Sequence, residues 1–168
     1  MMIVTNERWS GAPPSVILPD INRERTASMS NDTTPLATLA LRLGLGAVLL
    51  AHGFYLKFFV FGLAGTMGFF GSLGLPPILG AMVAVAETLA GIALILGVAV
   101  RPVALAMLPI LLGATAVHAG NGWLFTAPGG GWEFPAFLSL AALAQAGLGA
   151  GAYAWQPAAL RRLPASLA

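Results

Sequence analysis

The 168-residue chain contains no cysteine. That excludes, within this chain, a disulfide, a thiol redox centre, Cys-ligated zinc and a Cys-ligated iron–sulfur cluster. Charge is almost as scarce. Asp, Glu, Lys and Arg make up 8% of the residues, where a soluble domain carries about 25%. A net charge of +2 and a pI near 9.7 follow from this scarcity. The basic residues stand singly and form no patch, so nucleic acid is not an expected partner. What fills the chain instead is 58% hydrophobic residues with a mean hydropathy of +0.85. Such a composition belongs to an integral membrane protein, whose first partner is the lipid bilayer.

The first 34 residues differ from the rest. Glu7, Arg8, Asp20, Arg23, Glu24, Arg25 and Asp32 mix with Pro13, Pro14 and Pro19, without an apolar run of signal-peptide length. Residues 1–34 are expected to be a disordered N-terminal tail. Met29 precedes Ser30-Asn31-Asp32-Thr33-Thr34-Pro35, a candidate second start that would make residues 1–28 an upstream extension. A four-span membrane domain is expected over residues 35–156, and a cytoplasmic C-terminal tail over 157–168.

The expected fold is all-α, a transmembrane four-helix bundle, because a span needs about 20 mostly apolar residues and four segments qualify. They run from about Leu36 to Phe61, Ile78 to Val100, Pro102 to Ala119 and Phe134 to Trp155. The Gly-rich stretch Gly62–Pro77, a tight joint at Arg101-Pro102 and the loop Gly120–Glu133 read as connections, since Gly and Pro clusters break helices. Cytoplasmic loops carry the excess of Lys and Arg. Arg101 in the middle joint, Arg161 and Arg162 after the last span, and Arg23 and Arg25 before the first therefore predict N-in/C-in topology. Trp123, Phe125 and Trp132 would then form the outer aromatic belt, and Tyr153 and Trp155 the inner one. Small residues within the spans, such as Gly80 with Ala84 and Ala142 with Ala146, suit close helix packing in lipid.

Between Pro35 and Gln156 the residues Arg42, His52, Lys57, Glu87, Arg101, His118 and Glu133 are the sole members of the Asp, Glu, Lys, Arg and His class. A charge near a bilayer centre costs roughly 2.5–3.5 kcal/mol on insertion scales, so one that is kept needs a partner or a purpose. At 1.5 Å per residue, His52 on the first span and Glu87 on the second come to similar depth, roughly 16–20 Å from the cytoplasmic edge. They are candidate partners and candidate catalytic residues, and Glu87 is expected to be either neutral or ionised against His52 or Lys57. Lys57, His118 and Glu133 fall near the outer boundary, a mixed-sign group suited to an amphipathic ring head group or an anion. Arg42 and Arg101 fall towards the inner boundary and read as snorkelling anchors. The two histidines sit at different depths, so neither intrachain haem nor a metal site is expected.

Taken in order, Arg42, His52-Gly53 with Lys57, Gly74-Leu75-Pro76, Glu87 with Gly91 and Leu96-Gly97, Arg101, His118 and the Gly-rich loop ending Trp132-Glu133 resemble the DoxX family of small four-helix membrane proteins over about residues 35–155. The resemblance implies a bundle in the bacterial inner (plasma) membrane. It also implies association with a quinone-linked oxidoreductase or redox complex, and hence other membrane subunits as partners. Quinone is the cofactor that context implies, with His52, Lys57, Glu87, His118 and Glu133 as candidate binding residues. A non-catalytic accessory or scaffold subunit is the alternative, in which the polar residues fix helix packing.

Overall fold

The structure is a computed structural model that describes residues 32–155 and Pro157. The expected N-terminal tail up to residue 31, the candidate start at Met29 and the orienting Arg23, Arg25, Arg161 and Arg162 lie outside the described residues. Among the described residues every regular element is helical. Helix α1, Thr34–Leu50, continues without a break into a π-helical segment, Ala51–Val60. Then follow α2, Gly62–Ser72, α3, Ile78–Leu96, and α4, Val100–His118, which ends in one 3-10 turn, Ala119–Asn121. Helix α5, Glu133–Leu148, is the last. The first helix with its π segment, α3, and α4 with its 3-10 turn are long and apolar enough to cross a membrane, while α5 is a shorter apolar helix of 16 residues.

Three expected boundaries move. The Gly-rich stretch after Phe61 is not an open connection, since Gly62–Ser72 is a helix. Its glycines at 62, 65, 68 and 71 disfavour a helix in water, but apolar surroundings leave the backbone nothing else to hydrogen-bond. The joint expected at Arg101-Pro102 lies earlier, because Gly97 takes a left-handed conformation (φ 78°) and closes α3. Val98 N–H donates to Ala93 O at 2.8 Å and Gly97 N–H to Leu94 O at 3.1 Å, the paired bonds of a Schellman stop. Arg101 and Pro102 therefore sit in the first turn of α4, where proline costs no hydrogen bond. The last helix stops at Leu148, and Gly149–Trp155 continues as a non-helical strap.

Helix α3 is the centre of the bundle, packing on α1, the π segment, α2 and α4, whereas α5 packs on α4 and α1. The π segment rests on α3 and α2 and makes no helix-to-helix packing with α5. The bundle is thus closed at the end that holds Thr34 and the strap and splayed at the other, loop-bearing end. Closure rests on an apolar core of Leu45, Leu49, Leu94, Val100, Met107, Leu111, Leu138 and Ala142. The strap ties that end: Ala152 N–H donates to Pro35 O and Trp155 N–H to Leu96 O. Hydroxyls within the helices turn back on their own backbone, as Thr38 does to Thr34 O, Thr115 to Leu111 O and Ser139 to Pro135 O. In lipid this satisfies a group that has no water.

Candidate functional site

Glu87 is the middle residue of α3, nine residues from either end, or about 13 Å at 1.5 Å per residue. It is buried, and its Oε2 accepts a hydrogen bond from Lys57 Nζ at 2.6 Å. Lys57 is half-buried on the π segment. Two backbone features create this approach. Gly53 lies so close to α3 that an added Cβ would stand 2.6 Å from Thr88 N and 2.7 Å from Glu87 Cβ. One turn further, Lys57 then overhangs the carboxylate. The π winding acts alongside: in an α-helix residues five apart diverge by about 140°, whereas i→i+5 bonding stacks them. Lys57 turns to Glu87 of α3, and His52, five residues earlier, to Phe134 of α5. The Lys57 carbonyl also accepts the Thr66 hydroxyl from α2 at 3.1 Å.

His52 is half-buried at the level of Gly53 and Glu87. Its Nδ1 lies 2.9 Å from Val48 O. A carbonyl can only accept, so Nδ1 is the donor in this bond and Nε2 is the ring nitrogen left for another partner. The ring stacks on Phe134 of α5, with centroids 5.7 Å apart. This contact bridges the gap that the splayed π segment leaves beside α5.

The expected outer group is not a single cluster. Lys57 turns to Glu87; His118 donates through Nδ1 to Gly129 O at 3.0 Å; Glu133 Oε1 accepts from Phe125 N–H at 2.9 Å. Asn121 joins His118 on the same Gly129 carbonyl. Among the described residues no three His, Asp or Glu side chains converge as a metal ion requires.

One of the two inner arginines departs from expectation. Arg42 does not snorkel, being 1% exposed. Its guanidinium donates to Ala150 O at 2.5 Å, Ala152 O at 3.2 Å and Tyr153 O at 3.4 Å, so it staples the strap to α1. Arg101 donates to Ala146 O at the end of α5, where the helix dipole favours a cation. Buried Gln145 adds a bond from Nε2 to Gly149 O. Sequence reasoning missed Thr66, Phe134 and Gln145; the acceptors of Thr66 and Gln145 are main-chain carbonyls, which no residue type announces.

The DoxX family profile matches residues 37–120. The chain belongs to the DoxX family. The matched stretch holds Arg42, His52, Lys57, Glu87, Arg101 and His118 but stops before Glu133 and α5, shorter than the resemblance over residues 35–155. The protein described as "Putative oxidoreductase CatD" from Bacillus subtilis (strain 168) is 36% identical to this DoxX chain over 84 residues, 50% of this chain and 60% of that protein. This chain therefore spans about three-fifths of that relative's length. No solved structure matches.

Proposed function

We propose that this DoxX protein is a membrane subunit linked to a quinone-using oxidoreductase, with Lys57, Glu87 and His52 as its working residues. The observation that carries the reading is the mid-helix Lys57–Glu87 pair at 2.6 Å, beside a histidine whose Nδ1 is anchored on its own backbone. The relative described as an oxidoreductase supports the redox context. A quinone, when bound, supplies two-electron chemistry that takes up or gives off two protons.

The residues suit that load. Lys57 gives one of its three N–H donors to Glu87 and has others for a ring oxygen. His52 Nε2 accepts a proton and returns it, with Nδ1–H anchored on Val48 O. Glu87 holds Lys57 in place and balances its charge in a medium that tolerates neither alone. The splay beside the π segment gives an apolar ring a lateral way in. In this reading α5 crosses as a fourth span, Thr34, Gly97 and the strap face the cytoplasm of a bacterial inner membrane, and the π segment points outward. The test is Glu87→Gln within the intact complex: quinone reduction should fall at least tenfold while the folded protein is retained. An unchanged rate removes the role.

The same pair favours a second reading. Lys57 and Glu87 satisfy one another and join the π segment to α3, as a packing lock would. In an accessory scaffold the exchanged pair Lys57→Glu with Glu87→Lys restores folding and complex assembly with no loss of turnover. In the quinone reading the exchange restores folding alone.

A further inference from the structure

Along the first two turns of α5 runs an open groove of about 530 Å³, lined by Trp123, Phe125, Glu133, Phe134, Phe137 and Leu140 together with Ala136. Its chemistry is one-sided. Four aromatic residues line it, and Glu133 is the one charged residue in the lining. The carboxylate is pinned, because Oε1 accepts the Phe125 N–H; Oε2 is not needed for that bond. Trp123 is steadied edge-on by Trp132, ring centroids 4.5 Å apart. A fixed negative charge among π faces attracts a cation twice over, by Coulomb attraction and through the ring quadrupoles. It repels an anion.

The groove also has polarity along its length. Glu133, Trp123 and Phe125 stand at the loop-bearing end, and Phe137 and Leu140 continue down α5. The eight residues from Glu133 to Leu140 span about 10 Å, the reach of a chain of seven or eight methylenes. We propose that this groove binds an amphiphile with a protonated amine or ammonium head, seated on Glu133 and the aromatic rings, and with its alkyl chain along Phe137 and Leu140. Every lining residue lies beyond the stretch matched by the family profile. It is separate from the Lys57–Glu87 pair and stands whether or not that pair handles a quinone. Two sources share the required chemistry, an ethanolamine lipid head group and a free alkylammonium ion.

The test uses the full chain in dodecyl maltoside micelles, titrated with octyltrimethylammonium and followed by tryptophan fluorescence. A saturable change is expected, with octyl sulfate giving none. Glu133→Gln keeps an acceptor for Phe125 N–H and should weaken binding at least tenfold; Phe137→Leu keeps the apolar wall and should weaken it several-fold. Equal response to octyl sulfate, or unchanged affinity in Glu133→Gln, overturns the site. Native mass spectrometry after reconstitution in equal phosphatidylethanolamine and phosphatidylglycerol then separates the sources. Retained phosphatidylethanolamine that Glu133→Gln loses makes the ligand a lipid. Octyltrimethylammonium binding without retained phosphatidylethanolamine makes it a free cation.

Discussion

Gly53 meets Glu87 with no side chain between them: an added Cβ would fall 2.7 Å from Glu87 Cβ, well inside van der Waals contact. The missing side chain sets the distance between the π segment and α3, and that distance lets Lys57 reach the carboxylate. Gly46 and Gly91 do the same one step towards the closed end, where a Cβ at 91 would stand 2.8 Å from Gly46 O. Gly53→Ala should therefore push the helices apart and cost about 1–3 kcal/mol by overpacking. Thermal unfolding in detergent measures it, and an unshifted midpoint contradicts the packing.

Removing one member of the Lys57–Glu87 pair leaves the other as a lone charge in apolar surroundings. Lys57→Met alone, or Glu87→Leu alone, should destabilise by about 3–5 kcal/mol. The double substitution should cost less than either single one, since no charge remains. A double-mutant cycle on unfolding midpoints checks this; additive costs would mean that the pair contributes nothing as a pair.

Arg42 holds three strap carbonyls through one planar fork. Lysine keeps the charge but not the fork, so Arg42→Lys should release the strap while α1 stays helical. Faster proteolysis after Tyr153 or Trp155 is the expected result, together with faster amide exchange at Ala152 and Trp155, whose N–H groups bond to Pro35 and Leu96. Exchange as slow as in the parent protein refutes the staple.

The Thr66 hydroxyl on the Lys57 carbonyl is worth about 0.5–1.5 kcal/mol. Thr66→Val keeps the shape and loses the bond; Thr66→Ser keeps the bond. Valine should lower stability by that amount and serine by less. If valine costs nothing, α2 does not secure the end of the π segment.

Three long apolar helices are legible in the sequence because apolar length is a property of residue type, as is the rarity of charge that singles out the candidate residues. Counting 1.5 Å per residue sets Glu87 and His52 at one level, and the structure puts Glu87 at the middle of α3 with Gly53, next to His52, against it. Counting gives depth but not direction around the helix axis. Direction depends here on the π winding from Ala51 to Val60, which differs from an α-helix in which carbonyl each N–H meets and carries no residue signature. Lys57 was therefore grouped with His118 and Glu133 by depth, whereas a long side chain one turn above Gly53 reaches Glu87. Arg42 read as an anchor because its acceptors are carbonyls of residues 150, 152 and 153. Gly62–Ser72 read as a connection because glycine spacing reports cost in water and not in lipid.

The Arg42 staple also imposes an order of events at birth. Its partner carbonyl at Ala150 lies 108 residues downstream, roughly 5–20 seconds of synthesis at 5–20 residues per second. During that interval the first helix is already in the bilayer and its guanidinium has no strap to bind. It must reach for head groups until the last helix arrives. Final closure of the bundle thus waits for the strap to be made, and a ribosome stalled before residue 150 would hold a nascent chain whose first helix is still unlatched.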